Sequence, residues 1–110
     1  MALTESAPVT RGRTVLWLRG VHNGSTVALL SETFAREIAH NDTDLVVDLS
    51  GVESIGSAAV RVISRAHEFL RQQSRSLILR SPSTNARRVL QRCGLADLLE
   101  PRRAVPRARP

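Results

Sequence analysis

The chain has 110 residues, of which 42% are hydrophobic, and 16 basic residues stand against 10 acidic ones. This length is that of one domain. A single cysteine excludes an intramolecular disulfide and a cysteine-rich zinc site, so the fold must rest on its apolar core. No run approaches the roughly 18 apolar residues that span a bilayer, and residues 1–10 lack the apolar stretch of a signal peptide. We therefore expect no membrane insertion and a cytoplasmic location.

All 16 basic residues are arginine, and four of them fall within residues 101–110, between three prolines. Without that segment 12 basic and 10 acidic residues remain, so the body is nearly balanced. Proline and charge predict a disordered, solvated tail over 101–110. Contact of this tail with nucleic acid, an acidic partner or anionic lipid is the alternative. Residues 1–12 are predicted as a loose arm or one short edge strand, which leaves 13–100 as the folded domain.

In chain order, the first element is a β-rich strand over residues 14–18 that stops at Gly20, and a turn over 21–24 follows it. Apolar residues then recur at spacings of three and four, which predicts a helix: Val27, Leu30, Phe34 and Ile38. Residues 45–49 form a nearly continuous apolar run, typical of a central strand covered on both faces. A loop over 50–56 is predicted after this strand.

The second predicted helix has one apolar face made by Ala59, Val62, Ile63, Ala66, Phe69 and Leu70, and Ser57 is predicted as its N-cap. A strand over 76–80 follows, and Ser81 with Pro82 is predicted to start a third helix. The apolar stripe of that helix is Ala86, Val89, Leu90 and Cys93, and Gly94 closes it with Leu95 packed beyond. Alternating strands and helices predict an α/β fold with a sheet of about four strands flanked by helices.

Catalytic chemistry has little support in the sequence. The three histidines, His22, His40 and His67, have no metal-binding spacing, and we interpret them as surface residues. Cys93 lies on an apolar stripe and is predicted to be buried. Asp48 could be a catalytic acid, but the interpretation we favour is a hydrogen bond to the next loop. No lysine exists for a phosphate-binding loop. We expect no catalytic residues, no metal and no cofactor, and hence no enzyme.

Ser57 is the one position whose surroundings suggest a function. A serine where a loop enters a helix stands at the positive end of the helix dipole. A phosphate there would add nearly two negative charges and change how the surface meets a partner. A plain N-cap is the alternative, and physical chemistry alone favours it.

Residues 45–63, LVVDLSGVESIGSAAVRVI, resemble the V-D-L-S-x-V strand and I-D-S-x-G-L-x-x-L turn and helix of STAS domains. Residues 20–23 stand where this family has a G-E-L-D turn, and residues 82–95 are similar to its closing segment. The resemblance implies the STAS fold and a protein-binding regulator. Stand-alone members bind a serine kinase of the histidine-kinase-like ATPase type that acts as an anti-sigma factor, and so free a sigma factor. A homodimer is also compatible with the family.

The resemblance places a partner-binding face on Asn23, Ser54, Gly56, Ser57, Ala58 and Arg61. This sequence departs from the family pattern within that face. Gly56 replaces the family aspartate, and Ala58 replaces the usual phosphoacceptor serine, so Ser57 is the remaining candidate for phosphorylation. Two hypotheses follow, a switch moved to Ser57 or a covalent switch that has been lost, and we favour the second.

Two other functions are weighed against this one. Small STAS proteins also resemble accessory subunits of bacterial phospholipid-transport ABC systems, where the arginine-rich face of the second helix would meet the ATPase. Specific nucleic-acid binding through the tail is disfavoured, because the chain lacks aromatic stacking residues and a recognisable reading motif.

Overall fold

The computed structural model describes residues 4–10, 13–40 and 42–100. Within these ranges the chain forms four strands, three α-helices and one short 3₁₀ helix. The elements are β1 (Thr4–Thr10), β2 (Arg13–His22), α1 (Val27–His40), β3 (Asp44–Ile55), α2 (Ser57–Gln72), β4 (Leu77–Arg80), α3 (Thr84–Arg92) and the 3₁₀ helix Ala96–Leu98. The α/β alternation predicted from the sequence is confirmed. The predicted tail over 101–110 lies outside the described residues.

The four strands form one sheet in the order β1-β2-β3-β4. β1 is antiparallel to β2, whereas β2, β3 and β4 are parallel. The carboxyl ends of β2 and β3 meet, because Val21 pairs with Ser54 and His22 pairs with Ile55. The segments that follow these two strands therefore leave the same edge of the sheet side by side.

β3 is the central strand of the core. Its residues 45–49 are all buried, as predicted for a strand covered on both faces. Leu45, Val47 and Leu49 belong to the main core cluster, which also contains side chains of all three helices. Val46 alternates to the opposite face, where it pairs with the equally buried Val15. Both faces of β3 are thus shielded from water over residues 45–49.

Two strands are longer than the sequence predicted. β2 continues beyond Gly20 to His22, and β3 continues to Ile55, so the predicted turn over 21–24 and loop over 50–56 are wrong in those parts. Residues 19–22 and 51–55 pair with each other through an irregular ladder with two register shifts. Apolar and polar side chains do not alternate in these residues, so the sequence does not predict a strand there. They are strand because they hydrogen bond to a segment that is distant in the sequence.

The two helix caps that the sequence predicted are both displaced. Gly56 is the N-cap of α2, with extended backbone and no side-chain hydrogen bond, so Ser57 is its first residue and not its cap. Ser83 caps α3 by accepting a hydrogen bond from the amide of Ala86, in place of Ser81 and Pro82. Pro82 is compatible with a cap at Ser81 or at Ser83. The hydrogen bond between the Ser83 hydroxyl and the Ala86 amide shows that Ser83 is the cap.

Two residues predicted for the core are exposed. Cys93 is exposed because α3 ends at Arg92 and Cys93 is its C-cap, turned out of the apolar stripe. Phe69 is 47% exposed although α2 carries it beside buried positions. The end of α3 is confirmed as predicted: Gly94 has φ +84°, and the Leu95 amide donates to the Leu90 carbonyl at 2.9 Å.

Candidate functional site

The structure brings Asn23 and Gly56 together at the carboxyl edge of the sheet. The Gly56 amide donates a hydrogen bond to the His22 carbonyl at 2.8 Å. A Cβ atom on Gly56 would lie 3.7 Å from the Cα of Asn23, which is ordinary van der Waals contact. The turn after β2 and the start of α2 therefore form one continuous surface, although they are far apart in the sequence.

The turn that carries Asn23 is held by its own side chains. The Oδ1 atom of Asn23 accepts hydrogen bonds from the Ser25 amide at 2.9 Å and the Ser25 hydroxyl at 2.7 Å. The backbone amide of Asn23 donates to the Oγ1 atom of Thr26 at 3.0 Å, and the backbone carbonyl of Thr26 accepts from the Leu30 amide at the start of α1. Asn23 is exposed, and with Oδ1 committed to the turn its side-chain NH₂ group remains for a partner.

The start of α2 is the second half of the surface. Ser54, Ser57 and Arg61 are exposed, whereas Gly56 and Ala58 are half-buried. No acidic residue lies in the first turn of α2 and no side chain caps it, so the positive end of the helix dipole is not neutralised there. Arg61 lies four residues after Ser57 and hence on the same helix face. All six residues predicted for a partner-binding face thus lie on two neighbouring segments of the chain.

His22 lies beneath this surface and is only 2% exposed, so the prediction of a surface histidine is wrong for it. Its Nε2 atom donates a hydrogen bond to the Arg19 carbonyl at 2.9 Å, which assigns the proton to Nε2. Its Nδ1 atom is buried and has no partner among the described residues. Burial lowers the pKa of His22 by more than the hydrogen bond to the Arg19 carbonyl raises it. The imidazole is therefore held neutral under the Asn23 turn.

Asp48 is tied into β3 and β4 by hydrogen bonds. Its Oδ1 atom accepts from the Ser50 hydroxyl at 2.6 Å and the Ser50 amide at 2.9 Å, and its Oδ2 atom lies 2.9 Å from the Arg80 guanidinium. Burial raises the pKa of Asp48, but the hydrogen bonds from Ser50 and the Arg80 guanidinium together outweigh burial and lower it. This geometry supports the structural interpretation of Asp48, as a carboxylate that joins two parallel strands.

Across the described ranges no group of three His, Cys, Asp or Glu side chains could hold a metal ion. His40 is exposed, and its Nδ1 atom hydrogen bonds to the Arg36 carbonyl at 2.8 Å. Among the same residues, no helix is long and apolar enough to cross a membrane.

Sequence reasoning missed two residues that shape the site, Thr26 and His22. Thr26 directly precedes the apolar periodicity of α1, where a capping hydroxyl is expected, so the capping pattern could have identified it. His22 carried no such signal, because its burial follows from the late pairing of β2 with β3.

Comparison with known proteins identifies the architecture. A family model described as "Mlab, STAS domain" matches residues 7–100. The anti-sigma-F factor antagonist RsfB of Mycobacterium tuberculosis is 34% identical over 76 residues, which are 66% of this chain and 62% of that protein. The chain therefore spans less than two thirds of the length of the curated relatives it matches.

Solved structures agree with this match. The unphosphorylated form of the anti-sigma factor antagonist SpoIIAA superposes with a TM-score of 0.77 at 20% identity, over 88% of this chain and 85% of that one. An anti-sigma factor antagonist from Mycobacterium paratuberculosis gives a TM-score of 0.79 at 24% identity, over 90% and 85% of the two chains. At these identities the likeness shows the fold, and it confirms the predicted STAS architecture. Together with the family match over residues 7–100, it shows that the chain belongs to the STAS domain family.

Proposed function

We propose that this chain is an anti-sigma factor antagonist, which binds a kinase-like anti-sigma factor and thereby frees a sigma factor. The docking face consists of Asn23, Ser54, Gly56, Ser57, Ala58 and Arg61. The observation that carries the proposal is the contact between the Asn23 turn and the start of α2, which makes one exposed surface from two segments. The similarity to RsfB, named as an anti-sigma-F factor antagonist, supports the same function.

The chemistry of the docking face suits a protein partner. Serine, glycine and alanine side chains are small, so a partner backbone can approach the uncapped first turn of α2 closely. The free amide groups of that turn and the Arg61 guanidinium offer hydrogen-bond donors to carbonyl or carboxylate oxygens. We infer that the partner presents acceptor groups or negative charge to this face.

The Ala58 side chain bears on how binding is controlled. It has no hydroxyl and cannot accept a phosphate, and it stands where the family resemblance places the usual phosphoacceptor. Ser57 is exposed and remains the candidate for phosphorylation. Of the two hypotheses, we propose the one in which the covalent switch has been lost and the partner binds without it.

The test uses an anti-sigma factor of the histidine-kinase-like ATPase type encoded in the same genome. Its dissociation constant for this chain is measured by isothermal titration calorimetry, and release of the sigma factor is followed by gel filtration. Ser57→Asp brings a carboxylate into the interface next to the partner's acceptors, and we expect at least about tenfold weaker binding. Arg61→Ala removes a cation from the face and should also weaken binding.

The matched control is Arg65→Ala, which removes the same charge from α2 one turn beyond Arg61. It should leave the affinity for the anti-sigma factor unchanged. Intact-mass analysis of the chain from its native cells reports whether Ser57 carries a phosphate. Unchanged dissociation constants for both Ser57→Asp and Arg61→Ala would eliminate the docking face, and tight binding without sigma factor release would eliminate the function.

A second candidate is an accessory subunit of a phospholipid-transport ABC system. The observation in its favour is the exposed arginine face of α2, which includes Arg61, Arg65 and Arg71. Arg71 is already paired with Glu68 at 3.1 Å, so the other two would provide the main contacts. Binding of this chain to an ABC ATPase from the same genome, weakened by Arg65→Ala, would favour this function over the first.

A further inference from the structure

An open apolar groove lies between α1 and α2, and none of its lining residues belongs to the docking face. Its volume is about 560 Å³, within the range of small-molecule sites in proteins. Apolar side chains of both helices form its walls: Phe34, Ala35, Ile38, Ala39, Val62 and Phe69. We refer to it as the helix groove.

The walls of the helix groove leave an aromatic ring in contact with water. Phe69 is 47% exposed, whereas Phe34 in the same groove is 2% exposed. Ala35 and Ala39 lie four residues apart on one face of α1, and their small side chains leave the space open. A ligand that fills this space would remove apolar surface of Phe69, Ile38 and itself from water, which is favourable in proportion to the area covered.

The rim of the helix groove is cationic. Arg65 is exposed, one turn before Phe69 on α2, and no hydrogen bond or ion pair joins it to another described residue. Arg75 is held in place by hydrogen bonds to the Thr43 carbonyl at 3.0 Å and to the Oε1 atom of Gln73 at 2.8 Å. Asp42 is the one carboxylate among the lining residues. The exposed Arg65 guanidinium at this rim therefore favours a ligand with a single negative charge.

The length of the groove sets the length of the ligand. Along α1 the lining residues run from Ser31 to Ala39, which is about 12 Å at the rise of an α-helix. This is the length of a medium alkyl chain. We propose that the helix groove binds a medium-chain fatty acid, with the carboxylate on Arg65 and the alkyl chain against Phe69. The proposal does not depend on the anti-sigma factor antagonist function.

The experiment titrates the full chain with octanoate and decanoate below their micelle concentrations and with decan-1-ol below its solubility limit, by calorimetry and by ¹H–¹⁵N NMR shifts. Each additional methylene that is buried should tighten binding about fourfold, so decanoate should bind about fifteenfold more tightly than octanoate. Decan-1-ol should bind more weakly than decanoate. Shifts should fall on residues of α1 and α2 that face the groove.

Three variants separate the contributions of charge and shape. Arg65→Ala should weaken the binding of decanoate about tenfold and leave the binding of decan-1-ol unchanged. Arg61→Ala is the matched control on the same helix, and it should leave the affinity for decanoate unchanged. The proposed function requires the same variant to weaken binding of the anti-sigma factor. Ala35→Phe fills the groove from an exposed position and should abolish binding, with circular dichroism to verify the fold.

Several outcomes would overturn the proposal. Equal affinities for decanoate and decan-1-ol, equal effects of Arg65→Ala and Arg61→Ala, or no saturable binding would each do so. A dimer that Phe69→Ser dissociates would show that a second copy of the chain covers the groove. Failure of these tests leaves the affinity for the anti-sigma factor untouched, so it is distinguishable from failure of the proposed function.

Discussion

The buried imidazole of His22 predicts that the stability of this protein falls in mild acid. Because its pKa is lowered in the folded state, the unfolded chain binds a proton more readily than the folded chain does. Above the unfolded pKa of about 6.5 both states are neutral, and the burial of the ring is fully stabilising. As the pH falls below this value, only the unfolded chain takes up the proton, so the free energy of unfolding decreases until the lower folded pKa is reached.

The magnitude follows from linkage. One group that titrates in the unfolded state alone changes the free energy of unfolding by at most about 1.4 kcal/mol per pH unit. At about pH 5.5, one unit below the unfolded pKa, the titration of His22 should therefore lower the free energy of unfolding by up to about 1.4 kcal/mol relative to neutral pH. His22→Gln removes the titration, and its side-chain NH₂ group can still donate to the Arg19 carbonyl.

The assay is urea unfolding at about pH 7.5, 6.5 and 5.5, a range that brackets the unfolded pKa of histidine. It is followed by far-UV circular dichroism and by the fluorescence of Trp17, the only tryptophan in the chain. His22→Gln is expected to lose some stability at every pH through altered packing, so only the change with pH is informative. The wild type should lose more stability than the variant between the two extremes, by up to about 1.4 kcal/mol. Parallel curves for the two proteins would refute the reasoning, because His22 would then be protonated equally in both states.

Four further predictions concern stability. In urea titrations, Phe34→Ala should lower the free energy of unfolding by about 3–5 kcal/mol. Phe69→Ala should lower it by less than about 1.5 kcal/mol, because about half of that ring is already in water. Arg80→Met should lower the free energy of unfolding by about 2 kcal/mol, because the buried Asp48 carboxylate keeps only its hydrogen bonds from Ser50. The loss is moderate because the Arg80 side chain is 30% exposed and water screens its charge. The lowered pKa of Asp48 means that its contribution is present above about pH 4 and is lost as the pH falls through the folded pKa, so Asp48→Asn should show a shallower loss of stability in acid. Gly94→Ala should cost about 1 kcal/mol in calorimetric melting, because φ is +84° there; an unchanged melting temperature would contradict this.

The elements of the fold could be predicted where a side-chain pattern and the local backbone agreed. The spacing of Leu30 and Phe34 predicted α1, the apolar run at 45–49 predicted the central strand, and Gly94 predicted the end of α3. Each of these signals is a property of a few adjacent residues. The ends of β2 and β3 could not be predicted in this way, because residues 51–55 are strand only through their pairing with residues 19–22.

The candidate site was predicted in part for the same reason. The motif around Ser57 identified the start of α2, and the resemblance to the family placed Asn23 on the same face. Nothing in the sequence predicted that the Gly56 amide would reach the His22 carbonyl, or that His22 would be buried below the turn. The role of the face in binding remains a proposal that the Ser57 and Arg61 variants test.

The sequence by itself determined the alternation of strands and helices, the family, and the absence of a hydroxyl at Ala58. These follow from residue identity and short-range periodicity, which do not depend on the rest of the chain. Only the tertiary structure decided the exposure of Phe69 and Cys93, the burial of His22 and the groove between α1 and α2. Burial depends on which distant segment packs against a side chain, and a helix with an apolar stripe does not specify how far that stripe is covered.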